Sequence, residues 1–284
     1  MSTMFFKSNA SNIDWCDHTA NPGTGCLHGC SYCYARGLAV LRQEAMGLPS
    51  EKPFRPLFHP SRFQPNDLPK KPCRIFLGSM ADYGGKWEWE INCPDGETII
   101  LPSGKEVTNK YSLTPFLLWY ELLTVIRASK HTYMVLTKNP RNLRSTLNLF
   151  EKQDVPSNLW IGATVNNQND LMSHAWELRQ LKQNTGINKV FISYEPALEE
   201  IDLNLKFLRG SLDWVIVGAQ TGIIPFKPEI KWLAKTRGQC RDLGIKSFFK
   251  NNLKVDGYPR EFPDEPELEL FGSKDKFKEG LKAL

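Results

Sequence analysis

Short apolar runs rich in β-branched and aromatic residues recur along this chain, and several are separated by longer stretches whose apolar positions repeat with helical spacing. Residues 13–15 predict the end of a first strand, and 74–77, 133–136, 159–163, 190–193, 214–217 and 247–249 predict six more. Helical spacing runs through 114–129, 167–184 and 227–243. Strands alternating with helices argue for repeated βα units, hence an α/β fold with a parallel sheet. A different texture marks 87–107, where Pro94-Asp95-Gly96 and Pro102-Ser103-Gly104 separate short strand-like runs. These turns predict an added β-hairpin, an insert over about 86–110 beside the second strand.

Polar residues gather just after the predicted strands: Gly78-Ser79-Met80-Ala81-Asp82, Thr137-Lys138-Asn139-Pro140, Thr164-Val165-Asn166-Asn167, Tyr194-Glu195-Pro196, Gly218-Ala219-Gln220-Thr221-Gly222 and Lys250-Asn251-Asn252. Taken singly, each is an ordinary cap or turn. In succession they place polar groups at the C-terminal ends of neighbouring strands, the rim on which β/α barrels build active sites.

Ahead of them lies the run Thr24-Gly25-Cys26-Leu27-His28-Gly29-Cys30-Ser31-Tyr32-Cys33-Tyr34, with Cys26, Cys30 and Cys33 at C-x3-C-x2-C spacing. One loop can bring three thiolates to three corners of a cuboidal iron–sulfur cluster and leave the fourth iron without a protein ligand; electron-carrying clusters take four cysteines. An open iron is a place to bind a reactant. Structural zinc takes four ligands, often from two C-x2-C pairs. No second pair exists here, although Cys16, His18 and His28 could complete a four-ligand site. Cys73, Cys93 and Cys240 stand singly and read as small buried hydrophobes. Cys16 reads as a packed thiol or as a hydrogen-atom donor. Seven cysteines, an odd number, in a chain long enough to fold without staples argue against a disulfide framework and for a reducing, cytoplasmic setting.

The cysteine spacing, with aromatic Tyr32 before the third cysteine, resembles the signature of the radical S-adenosylmethionine (SAM) superfamily. The wider set of Ile13-Asp14-Trp15, Asn21-Pro22, Leu136-Thr137-Lys138-Asn139-Pro140, Glu195-Pro196, Asp213-Trp214-Val215-Ile216-Val217-Gly218 and Phe249-Lys250-Asn251-Asn252-Leu253 is similar to a family of radical-SAM-like proteins common in phages and prokaryotes. The tyrosines flanking Cys33 also resemble the cysteine loop of spore photoproduct lyase, a radical SAM enzyme that repairs a thymine dimer in DNA. The resemblance implies a partial (β/α)6-7 barrel of radical SAM type over 1–250, with 251–284 as a C-terminal extension.

It implies two cofactors, a [4Fe-4S] cluster on Cys26, Cys30 and Cys33 and S-adenosyl-L-methionine chelated to the open iron. It also implies a flavodoxin- or ferredoxin-type electron donor, and reductive cleavage of SAM to methionine and a 5'-deoxyadenosyl radical. Tyr32 then falls near the adenine. Gly78, Ser79 and Met80 take the place of the turn that binds the methionyl amino group; the usual glutamate is missing, and Asp82 is its candidate substitute. Lys138 could meet the SAM carboxylate, Thr164 and Asn166 the ribose, Glu195 ribose or substrate, and Gln220 the adenine pocket.

Composition sets the outer limits. With 284 residues, 41% hydrophobic and 11% aromatic, the chain has the makings of a sizeable globular core. No apolar run approaches the ~18 residues of a membrane span, no signal-peptide core follows Met1, and no membrane partner is expected. Phosphate-loop, G-x-S-x-G and H-E-x-x-H signatures are all missing. The net charge is +5, and eight basic against three acidic residues lie within 36–74. Such an excess suits phosphates as well as a solvated surface. With the likeness to spore photoproduct lyase, it points to a nucleic acid partner and to base repair or modification. The alternatives are radical modification of a peptide or small metabolite, and a zinc- or cluster-stabilised binding protein without turnover.

Overall fold

Eight strands build the principal sheet of the computed structural model, which describes residues 13–91, 97–108, 110–221 and 224–263 together with the backbone of 5–7. They are β1 (Phe5–Lys7), β2 (His18–Ala20), β3 (Arg74–Leu77), β4 (Thr132–Thr137), β5 (Leu159–Thr164), β6 (Lys189–Tyr194), β7 (Trp214–Val217) and β8 (Lys246–Phe249). Their order in space is their order in sequence. β2 to β8 run parallel, and β1 lies antiparallel on the β2 edge. With no reversal of strand order, right-handed crossovers bring every helix to the same face. The result is a half-barrel rather than a doubly wound layer.

Helices α1 (Tyr34–Leu41), α2 (Pro115–Arg127), α3 (Pro140–Leu147), α4 (Gln168–Asn184) and α5 (Ile230–Leu243) follow β2, β3, β4, β5 and β7. Their starts are written locally: the Thr114 side chain accepts from the Leu117 N–H ahead of Pro115, and that of Asn167 from Asp170. The period of two along each strand sorts side chains between two cores. Ile75, Val135, Ile161, Ile192 and Val215 face outward and pack in one large core with Leu118, Leu122, Leu171 and Leu178 of the helices. Phe76, Met134, Trp160, Phe191, Trp214 and Phe248 face inward and fill the half-barrel with Trp15 and Cys16. Trp214 is the hub of this plug, with ring centroids 5.6 Å from Phe191, 6.1 Å from Trp15 and 5.4 Å from Phe262.

Six of the seven predicted strands coincide with β3 to β8 to within a residue at each end. The first does not. Residues 13–15 precede the strand; Trp15 turns into the inner plug, and the main chain enters the sheet only after the Asp17 N–H bonds the Arg74 carbonyl. The Asp17 carboxylate, gripped by Arg74 at 3.1 and 3.2 Å, fixes that later register. The insert also departs from a simple hairpin. Trp89–Ile91 and Tyr111–Leu113 pair with each other and complete a four-stranded second sheet with Gly23–Thr24 and Leu57–Phe58. Thr98–Ile100 and Glu106–Thr108 form a separate two-stranded ribbon. The Pro94-Asp95-Gly96 turn and Cys93 lie outside the described residues, as does most of the C-terminal extension. The described part of that extension returns along β8 through an Arg260–Phe248 bridge, which covers the sheet edge.

Candidate functional site

The cysteine loop leaves β2 at the C-terminal rim and ends in α1. Three attachments tie it to the turn after β3: the Gly25 N–H donates to the Met80 carbonyl (3.0 Å), the Tyr34 hydroxyl to the Ser79 carbonyl (2.6 Å), and His28 Nε2 pairs with Asp82 Oδ2 (2.7 Å). Gly25 has φ +100°, and a Cβ there would come within 2.0 Å of the Arg55 carbonyl oxygen, so only glycine fits. Cys33 is the N-cap of α1, its sulfur accepting from the Arg36 N–H at 3.4 Å. A thiolate at that position faces the positive end of the helix. Cys26 and Cys33 pack partly into a small core of Ala35, Ala39, Phe54, Leu57 and Met80. Burial pushes the Cys26 thiol up to about 12, and the neighbouring Asp82, Cys30 and Cys33 add to the effect. Cys26, Cys30 and Cys33 are all free of disulfides.

Asp82 clamps the loop. Thr137 Oγ1 (2.6 Å), the Lys138 N–H (2.8 Å) and the Gly84 N–H (2.9 Å) donate to it alongside His28. Burial alone would raise its carboxyl, but the bonds from His28, Thr137 and Lys138 outweigh it and hold the group below the usual carboxylate range. Both oxygens are thereby engaged, and Asp82, the residue expected in place of a glutamate, braces the loop. Gly78, Ser79 and Met80 form a pinned turn: Gly78 N–H bonds the Ala20 carbonyl, and Asn21 Oδ1 accepts from Met80 N–H and Ser79 Oγ. The Met80 side chain is buried beneath the cysteine loop.

Three of the expected residues meet directly. Lys138 Nζ donates to the Tyr32 hydroxyl at 2.6 Å and to Asn166 Oδ1 at 3.3 Å, and the Tyr32 hydroxyl donates to the same oxygen at 2.8 Å. Burial raises the Tyr32 phenol in spite of Lys138, so it stays a neutral donor. Asn166 Nδ2 anchors on the Pro196 carbonyl (2.8 Å). Thr164 is buried on the inner face opposite Ser193.

Glu195 stands farther round the rim, where its Oε1 accepts from Lys250 Nζ at 2.5 Å and Asn252 Nδ2 at 3.3 Å. Gln220 is not brought to the others. Its side-chain amide donates to the Ile224 carbonyl and its backbone pairs with Phe226, so it closes its own loop. Lys250 and Asn21 carry no role in the sequence reading. Lys250 was within reach of the period-two series Lys246, Phe248, Lys250, whereas Asn21, although part of the Asn21-Pro22 block, carries no local signal of its contact with the turn after β3.

Cys16 lies in the inner plug, its thiol toward the Ile13 carbonyl and raised to about 12, chiefly by burial. With His28 committed to Asp82, the four-ligand set with Cys16 and His18 is not assembled. Among the described residues, no group of three or more His, Cys, Asp or Glu side chains is arranged to hold a single metal ion. The basic stretch is partly spent inside the molecule: Arg55 pairs with Glu90, Arg62 donates to the Met46 carbonyl, and Arg74 grips Asp17. Arg42, Lys52, Lys70 and Lys71 remain exposed. No described helix is long and apolar enough to cross a membrane.

No curated protein and no solved structure matches this chain. A family model described as protein of unknown function (DUF5131) matches residues 10–86 and 114–258, leaving out the segment that holds the second-sheet strands of the insert. That match takes in the cysteine loop, all the parallel strands and the rim from Gly78 to Asn252, and the chain belongs to this family.

Proposed function

We propose that this chain is a radical SAM enzyme, a partial barrel of that type in which Cys26, Cys30 and Cys33 hold a [4Fe-4S] cluster and the rim beside them holds S-adenosyl-L-methionine. The observation that carries the reading is the junction of three free thiols on one rim loop with the Tyr32–Lys138–Asn166 network. The donor set suits a polynuclear cluster. Three free cysteines on one loop, with no fourth cysteine on it, match a cluster that leaves one iron open. When bound, the cluster supplies one electron to the sulfonium of SAM and so starts radical chemistry.

The chain's own residues bind and orient. Lys138 offers its charge to the SAM carboxylate. Tyr32 and Asn166 offer a ring and an amide to the nucleoside, and the carbonyls of 78–80, each keeping a second lone pair, offer acceptors to the amino group. The aromatic plug below closes the floor against water. A flavodoxin- or ferredoxin-type carrier is the electron donor, and a nucleic acid base is the substrate to be repaired or modified.

Anaerobic reconstitution tests this. The expected result is a brown protein with about four irons per chain that yields 5'-deoxyadenosine from SAM and dithionite, while Cys26→Ala, Cys30→Ala and Cys33→Ala each lose the iron and the product. Tightly held zinc with no cleavage of SAM would overturn the proposal.

A further inference from the structure

One pair on the rim stands apart from the Tyr32 network. Glu195 follows β6 and Lys250 follows β8, each continuing the inward series of its strand, and Gly218 lies between them after β7. A Cβ on Gly218 would sit 2.6 Å from the Glu195 carboxyl carbon, so the carboxylate lies across β7 in the space that a side chain there would take. Lys250 Nζ donates to Glu195 Oε1 at 2.5 Å, and Asn252 Nδ2 reaches the same oxygen while its amide also bonds both the N–H and the carbonyl of Ala219. Lys250 is only 8% exposed. Glu195 Oε2 has no partner among the described residues and is not sealed from solvent.

A buried ammonium beside a half-buried carboxylate is a poor strut, because taking the Lys250 charge out of water offsets much of what the pair gains. What this pair does provide is an open acceptor beside a charged donor. We infer that Glu195 and Lys250 read the substrate by taking the lactam edge of a nucleobase, its ring N–H on Glu195 Oε2 and the adjacent C=O on Lys250. This rests on the proposed reaction for what is then done to the base. The pairing discriminates among ligand classes. In a ring lactam N–H and C=O point the same way, whereas in a trans peptide bond they point apart; a phosphate has only acceptors and would meet the Glu195 carboxylate. Tyr34, an exposed aromatic residue, lies within electrostatic reach of Glu195 and offers a stacking face. Both edge atoms are paired in a duplex, so the base is presented single-stranded or extruded.

The test is equilibrium binding of the reconstituted full chain to three labelled single strands of equal length: oligothymidylate, the same strand carrying N3-methylthymine, and an abasic strand. In the wild type, methylation at N3 weakens binding about tenfold or more, in Glu195→Ala the two thymine strands bind within about twofold of each other, and in Lys250→Met both bind about fivefold or more weakly. The wild-type comparison stands even if a variant fails to fold. Equal binding of all three strands, no binding of any, or discrimination that survives in folded Glu195→Ala would overturn the inference. SAM cleavage without base discrimination keeps the radical reading and removes this one. Base discrimination without SAM cleavage does the reverse.

Discussion

His59 sits under the cysteine loop with Nε2 3.0 Å from Thr24 Oγ1, and burial together with the charge of Arg62 pushes its imidazole down to about 3. Unfolded, the same imidazole titrates at its ordinary value near 6.5. Between those values the unfolded chain binds the extra proton, so the stability tied to His59 is complete above about pH 6.5 and falls as the pH drops through that window. We expect the stability advantage of wild type over His59→Gln to shrink between about pH 7 and pH 5, by up to about 1.4 kcal/mol per pH unit, measured by urea unfolding at each pH. A constant difference would place the imidazole in solvent. Single residues differ in how far the sequence announces them. Lys138, Asn166, Glu195 and Lys250 each continue an inward series, which can be counted from the strand. That Tyr32 meets Lys138 and Asn166, or that Asp82 is spent on His28, depends on how the loop folds back across the rim, and no local pattern encodes that.

Among the elements, β3 to β8 were legible because each is a short apolar run bounded by polar turns, and α2, α4 and α5 because they are long and periodic. The short helices α1 and α3, eight residues each, escaped. α1 begins inside the cysteine motif and buries only Ala35 and Ala39, too weak a stripe to count. Residues 13–15 misled because apolar residues bound for the inner plug look like a strand when read alone. The plug itself makes a firm expectation. Trp214 touches rings from five directions and donates from Nε1 to the Glu261 carbonyl at 2.8 Å. Trp214→Ala should cost about 3–5 kcal/mol in denaturant unfolding, and a loss below about 1 kcal/mol would mean that the half-barrel interior is loosely packed.

On the scale of the whole molecule, the insert is part of the core and not an ornament. Trp89, Leu101, Val107 and Leu113 are each at most 4% exposed and join the cluster that includes Phe58, Phe63 and Tyr83. Replacing 88–112 by a short polar linker should therefore abolish cooperative thermal unfolding, seen as loss of a single calorimetric transition; an unchanged melting curve would show the segment to be dispensable. The sequence revealed the insert through its turns but not its partners, since pairing between Leu57–Phe58 and Trp89–Ile91 joins segments that share no local signal.

That pairing reaches beyond this chain. The family pattern omits 87–113, yet here those residues donate the strand that shields one flank of Leu57–Phe58, whose other flank is occupied by Gly23–Thr24 at the base of the cysteine loop. Kindred proteins built without the segment must close that flank by other means, since a bare strand margin invites a foreign strand. In them the thiol-bearing loop would rest on a different neighbour.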